Sequence, residues 1–571
     1  MRLALLEVDE VSTMTLDQIL LLGAIVVPAL VSIVLFSGLV QRDDLAKQLA
    51  FLGFGFPCIA GIVLFINFDS NLALAEGGYC FELLYARMGL QDLGITFHLG
   101  LNGVSSPLFA MAGIVGLAAG LAAIGSGADR IKLYLALLCL MQSGLMGLFA
   151  SVDLFFYYLF HEFALIPTFV MIGLWGGKDR RSVSLEITIY LTLGALISLG
   201  GLVALNLMVI EGNATKFDFP ALSQALSELN MHESTQTTIF GLLLFGFGIL
   251  VALFPFHSWA ARGYEAAPTS VSMLHAGVLK KFGLYGLVQI AVPLLPEGAL
   301  AWSPWLLWLA LGNVLFVGMV TIAQTNLKSM VGYGSVMHMG YCFLGLAVVS
   351  SLGAASAVML MAAHGLSVSL MFLLSTYVYR RSGTFEMGEM GGLAGKTPVL
   401  ACFFVAASLA TIGLPGFGNF WGEFGIFLSL GEQAEHRFFL GLAALGIIIS
   451  AVFGLRAVAR IFFGVSSDEL SDHLKKHPIS DLKLGEILPA GLILAALLFI
   501  GLWPRGISDR IDVEIGQRYF HVDEMIDEIQ YEKDFQSLPP CCQPNALNKE
   551  LNGTDSLINS SGQNLNPPVD H

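Results

Sequence analysis

Stretches of about 20 mostly apolar residues recur along nearly the whole chain, near 18–40, 47–67, 101–124, 131–150, 152–175, 184–211, 237–258, 269–292, 303–323, 329–350, 354–378, 397–430, 437–463 and 486–503. As a helix, each is long enough to cross a hydrocarbon layer about 30 Å thick. The pattern predicts an all-α integral membrane protein of about fourteen transmembrane helices.

Two of these runs carry helix breakers deep inside. The seventh contains FPFH, Phe254 to His257, and the twelfth contains GLPGFGNF, Gly413 to Phe420. Proline removes a backbone donor and glycine loosens the chain, so both runs are expected to be broken helices. Matching breaks five spans apart point to two inverted five-helix repeats, spans 4–8 and 9–13, with an ion route along the breaks. The alternative is an ordinary proline kink at each. The chain then divides into spans 1–3 (1–130), a first repeat (131–292), a second repeat (303–463), a cytoplasmic loop with the last helix (464–503) and an acidic polar tail (504–571), partly disordered.

Composition agrees with this reading. Of 571 residues 56% are hydrophobic and 12% are charged, against about 25% charged in a soluble domain. The formal charge is −15, with the acid unevenly placed and a dense set of it after the last span, from Asp509 to Asp570, and the absence of a basic stripe excludes nucleic acid. The first span lacks a basic flank and cleavage site and is expected to be retained. One set of connections carries Arg130, Lys132, Lys178, Arg180, Arg181, Arg380, Arg381, Lys475 and Lys476, whereas the other carries only Arg2, Arg87, Lys216 and Arg437 before the last span. Cytoplasmic loops accumulate such residues, so both termini are placed on the non-cytoplasmic side. Cys58, Cys80, Cys139, Cys342 and Cys402 read as buried small apolar residues without metal-ligand spacing. Cys541 and Cys542 in the tail have no assigned role.

The candidate chemistry lies in polar groups inside the spans. Lys280 and Lys281 sit mid-span in TSVSMLHAGVLKKFGLYG, Glu162 in YYLFHEFALIPTF and Glu423 just after the second break. A charge at such depth costs at least a few kcal/mol on insertion scales and faces a protein interior or a wet cavity. Buried carboxylates and amines exchange protons according to their partners, which suits ion handling, although fixed ion pairs or a structural cap would also use them. His161, His257, His275, His338 and His364 lie within or at the edges of spans. Imidazole passes protons at modest cost, and a polar axis explains five of them with two lysines and two glutamates better than separate packing roles do. Consecutive helix residues point about 100° apart, so Lys280 and Lys281 are expected to face different neighbours.

HEFALIPTFVMIGLWGG (161–177), FPFHSW (254–259), APTSVSMLHAGVLKKFGLYG (267–286), NLKSMVGYGSVMHMGYCFLG (326–345), AAHGLSVSLMFLL (362–374) and LPGFGNFWGEF (414–424) together resemble the antiporter-like subunit M (chain 4 type) family of respiratory complex I, the NADH:quinone oxidoreductase. The resemblance runs from about residue 90 to 465. It implies a proton-translocating subunit of a membrane arm, in an energy-coupling membrane of the bacterial inner or plasma type. Its partners would be other membrane-arm subunits. The chain itself would hold no redox centre; NAD, FMN, iron–sulfur clusters and quinone would belong to partner subunits. The pathway residues it implies are Glu162, Lys281 and Glu423, with Lys328, His338 and His364 on the central axis. A multisubunit cation/proton antiporter, the membrane arm of an energy-converting hydrogenase and a non-pumping scaffold are the competing functions.

The chain departs from the family pattern twice. The family's lysine in the broken seventh helix is here Leu250, and its LPDAH segment is Ala260, Ala261, Arg262, Gly263 and Tyr264. The loss at Leu250 and the gain at Lys280 suggest that Lys280 replaces the missing partner of Glu162. The alternative is that Lys280 faces a neighbouring subunit or lipid and this half-channel is inactive.

Overall fold

The protein was analysed as a computed structural model, which describes residues 14–75, 78–85, 94–210, 217–229, 231–468, 470, 473, 475, 479–526 and 528. Arg2, Arg87, Lys216, Lys476, Cys541 and Cys542, on which some sequence expectations fall, lie outside them. The chain divides at Arg518 into two compact units, 1–518 and 519–571. The first contains everything described below.

Among the described residues, eleven helices are long and apolar enough to cross a membrane. The long helices in chain order are α1 (Leu16–Phe36), α2 (Asp43–Asn67), α3 (Ser105–Ile124), α4 (Ile131–Ala150), α5 (Leu154–Trp175), α6 (Arg180–Ile210) and α7 (Glu233–Val251), followed by the short α8 (Ser258–Ala266). Next come α9 (269–294), α10 (Pro296–Ala323), α11 (Leu327–Ala347), α12 (Ser351–Ser382), α13 (Pro398–Ile412), α14 (Gly418–Glu432), α15 (Arg437–Phe462), α16 (Leu484–Leu502) and α17 (Arg505–Arg518). Every apolar run of the sequence has a helical counterpart. The three outside the eleven are α9, broken by π-turns, α11, and the pair α13 and α14.

Both predicted breaks are present. Between α7 and α8 the chain leaves helical geometry at Ala252, whose φ is 71°, and between α13 and α14 it does so at Gly413, φ 81°. Asn313 of α10 clamps the first break: its Oδ1 accepts from the Phe254 N–H at 2.6 Å, and its Nδ2 donates to the Ala252 and Val336 carbonyls at 3.0 and 3.1 Å. In an apolar layer an unpaired backbone group costs several kcal/mol, so one buried amide does for this break what water would do elsewhere.

The core is apolar, and so is most of the outer surface. The most apolar stretch of α12 is 100% buried inside the bundle, whereas that of α15 is 33% buried. Outward side chains are large and apolar, as at Ile33, Leu185, Trp305 and Ile448. Cys402, expected to be buried, is exposed on α13, because a small apolar residue facing lipid is as well solvated as one in the core.

One end of the bundle is closed by elements the hydropathy pattern did not predict. Residues 97–101, partly assigned to the third span, form the strand β2 (Phe97–Leu101), paired antiparallel with β1 (Cys80–Tyr85). A bulge between Cys80 and Leu83 places Phe81 at φ 59°. Asp153 caps α5 by accepting from the Phe155 and Phe156 N–H groups and joins the same end through a bridge to Asp218. His98 of β2 lies between Asp218 and Glu82. Burial alone would lower its pKa, but these two carboxylates outweigh burial and raise it to about 9, so the ring is an imidazolium at neutral pH. The start of the acidic tail is the helix α17, with Ile507, Ile511, Glu514 and Ile515 buried on one face.

Candidate functional site

The lysine pair owes its placement to a local change of helix type. In α9, residues 275–279 form a π-turn in which the Lys280 N–H bonds to the His275 carbonyl at 2.9 Å. A π-turn widens the helix and shifts carbonyls out of their usual register, and such turns cluster at functional sites. The Lys281 ammonium takes up one of these carbonyls, donating to the Ala276 oxygen at 2.8 Å.

From Lys281 a line of polar side chains crosses the second half of the bundle. Its Nζ lies 3.0 Å from His364 Nδ1, and the His364 and His338 rings are 5.7 Å apart between centroids. His338 Nδ1 faces the Gly334 carbonyl at 2.8 Å, which makes that nitrogen a donor. Its Nε2 then faces Glu423 Oε1 at 3.7 Å. That gap is too long for a hydrogen bond, and both atoms are buried without one. Lys281, His364, His338 and Glu423 are all at most 5% exposed.

The break between α13 and α14 sets the Glu423 end. Gly413 stands against this carboxylate, and a Cβ there would overlap Oε2. Its positive φ and this contact both demand glycine.

The other candidates divide into groups. Lys280 points away from Lys281: it donates to Ser335 Oγ at 3.3 Å and lies over the Tyr264 ring at 5.7 Å. Beside it His275 Nδ1 meets the Tyr264 hydroxyl at 3.2 Å. Glu162, with a side chain 28% exposed, faces His161 Nδ1 at 3.5 Å, and the His161 ring stacks on Phe282 at 3.9 Å. No ion pair joins Glu162 to Lys280 among the described residues, and the π-turn aims Lys280 at Ser335 of α11. His257 sits in the first break, stacked on Phe254 at 5.6 Å. The Lys328 ammonium donates to the Glu265 and Ala267 carbonyls at the end of α8, at 3.1 and 2.5 Å. Leu250 is buried, and at the altered segment Arg262 pairs with Glu186 at 2.5 Å.

Sequence reasoning missed Asn313 and Ser335, and named Tyr264 only as part of the altered segment. Asn313 had a signal: it is an amide inside the apolar run LALGNVLFVGM.

The sequence profile of the family described as NADH:quinone oxidoreductase/Mrp antiporter, TM, matches residues 151–452, which include both breaks and every candidate. The chain is 31% identical over 450 residues to NADH-quinone oxidoreductase subunit M of Rickettsia bellii (strain RML369-C), covering 79% of this chain and 87% of that one. It is also 31% identical over 439 residues to NAD(P)H-quinone oxidoreductase chain 4 1 of Picosynechococcus sp. (strain ATCC 27264 / PCC 7002 / PR-6), covering 76% of this chain and 80% of that one. Among solved structures it resembles a chain of respiratory complex I from Thermus thermophilus with bound NADH, with a TM-score of 0.75 and 28% identity over 87% of this chain and 99% of that one. The Mrp complex from Dietzia sp. DQ12-45-1b shares the fold, with a TM-score of 0.76 and 19% identity over 89% and 98% of the two chains. With its profile match, its subunit M and chain 4 relatives and its complex I fold, the chain belongs to the NADH:quinone oxidoreductase/Mrp antiporter family of membrane subunits.

Proposed function

We propose that this chain translocates protons in the membrane arm of a complex I-like NADH:quinone oxidoreductase, driven by electron transfer in other subunits. The observation that carries this reading is the buried line Lys281, His364, His338, Glu423, which joins an amine to a carboxyl through two imidazoles. A lone charge at this depth is expensive, so the charge at one end of the line is felt at the other. A proton leaving Lys281 passes to His364 and His338, and His338 Nε2 hands it to Glu423 once the gap between them closes. Resetting the line needs only a change of charge near either end, which partner subunits would supply. NAD, FMN, iron–sulfur clusters and quinone would be held by those partners, and both termini would face the non-cytoplasmic side.

The shared fold of the Mrp complex makes a multisubunit cation/proton antiporter the second reading. Copurification of iron–sulfur subunits with this chain separates the two. The direct test is Glu423→Gln and Lys281→Ala in the assembled complex, reconstituted into sealed vesicles. Proton translocation through this subunit should be lost while assembly is retained; full coupled translocation in either variant would overturn the assignment.

A further inference from the structure

A groove on the outer face of the bundle has no part in the pathway. It holds about 660 Å³ between α2 and α16, with α3 and α12 behind it. Its floor is Pro107, Ala110, Met111 and Leu366, all buried, and its rims are Ile66 of α2 and Phe499 of α16, both exposed. Small residues make the hollow, since Ala110, Ala495 and Ala496 stand where larger side chains would fill it. From Leu492 to Trp503 the α16 wall runs about 16 Å, about half of a hydrocarbon core about 30 Å thick. The groove thus has the depth of one leaflet. Its floor also backs the pathway: a Cβ on Gly365 would come within 2.6 Å of both the Met111 sulfur and the Gly277 carbonyl, in the π-turn ahead of Lys281.

The mouth of the groove lies at the level where α2 ends at Asn67, α16 ends at Leu502 and α3 begins at Ser105. Trp503, 58% exposed, and Arg510 of α17 stand there. Tryptophan at a helix end marks the headgroup level of a membrane. The Arg510 guanidinium lies over the Phe65 ring at 4.1 Å and the Phe68 ring at 5.8 Å, and it donates to the Phe65 carbonyl. It is half-buried, and among the described residues no carboxylate pairs with it. A partly desolvated cation without a counter-charge is costly. Its remaining N–H groups suit a phosphate, which a guanidinium holds through parallel hydrogen bonds.

We infer that this groove is a phospholipid site, in which one acyl chain lies on the floor between α2 and α16 and the phosphodiester at its head is held by Arg510. The chain supplies apolar contact along the depth of one leaflet, and the phosphate supplies the counter-charge that Arg510 lacks. A helix of a partner subunit would fill the hollow as well, but it would need a carboxylate at this one level to satisfy the guanidinium. Every phospholipid of the leaflet carries its phosphate there. The site stands apart from the proposed proton pathway and does not depend on it.

The test is photolabelling of the assembled complex, delipidated in detergent and reconstituted into vesicles that contain a phosphatidylglycerol with a diazirine midway along one acyl chain. A parallel sample contains a diacylglycerol with the same diazirine and no phosphate, and adducts are located by peptide mass spectrometry. The phospholipid should label residues 107–114 and 495–500 several-fold more than the diacylglycerol does, while both probes label outward faces elsewhere on the chain to the same extent. Arg510→Gln should lower labelling of the groove to the diacylglycerol level, and Arg510→Lys, which keeps the charge, should retain most of it. Ala496→Phe, which fills the groove and leaves Arg510 in place, should remove labelling of 107–114 and spare the other faces. Equal labelling by the two probes, or labelling of the groove that survives Arg510→Gln, overturns the site. So does an unlabelled groove in a complex labelled elsewhere, which would mean that another subunit covers it. If Arg510→Gln does not assemble, the comparison of the two probes on the unmodified complex decides.

Discussion

At Gly413 one residue satisfies two constraints that no other side chain meets together. Its φ of 81° lies in the left-handed region, where an L-residue with a Cβ costs roughly 1–2 kcal/mol. The position of that Cβ is already occupied by the Glu423 carboxylate. Gly413→Ala should therefore destabilise by about 1–2 kcal/mol or slightly more and displace Glu423 from His338. Thermal unfolding in detergent reads the first effect, and driven proton translocation in vesicles, which should fall sharply while the complex stays assembled, reads the second. A variant that loses stability but translocates fully would show that Glu423 tolerates the shift. At the same scale, only the fold shows that two carbonyls at the end of α8 hold the Lys328 ammonium.

At the scale of elements, the breaks were legible because proline and glycine act locally, whereas their supports were not, because those come from distant parts of the chain. FPFH announces a gap in backbone pairing, but the residue that fills it, Asn313, lies 59 positions beyond Phe254. The π-turn at 275–279 was equally hidden, since HAGVL has nothing that distinguishes it from ordinary helix; it shows only in where the two lysines point. The hairpin of β1 and β2 was lost under the hydropathy of its neighbours, being strands of 6 and 5 residues beside a 20-residue helix. For the clamp the expectation is specific. Asn313→Leu keeps the volume but leaves the Phe254 N–H and the Ala252 carbonyl without their partner, at about 1–3 kcal/mol for each buried group left unpaired. The unfolding temperature should drop, and amide exchange at 252–257 should quicken relative to the interior of α12. Unchanged exchange at the break would mean that another group holds it.

The whole molecule is arranged for a solvent that is apolar outside and for polar work inside. Lys280, Lys281, His338, His364 and Asn313 are buried, while Trp305 and Trp308 on α10 are 66% and 55% exposed. In water an apolar surface of this extent would drive aggregation; against hydrocarbon it is the matching face, and helices with internally paired backbones are what such a face permits. The arrangement can be read with the chain's own tryptophans, of which there are seven. Single-tryptophan variants retaining Trp305 or Trp308 should be strongly quenched by lipids brominated on their acyl chains, because these indoles face the hydrocarbon directly. A variant retaining only Trp259, which is 1% exposed and donates to the Ile249 carbonyl at 3.1 Å, should be nearly indifferent to bromine. Repeating the measurement on the assembled complex separates lipid from protein neighbours: a tryptophan quenched in the isolated chain but protected in the complex lies where another membrane-arm subunit packs. Strong quenching of Trp259 in the folded chain would contradict the packing of the first break, and with it the placement of Tyr264, His275 and Lys280 behind it.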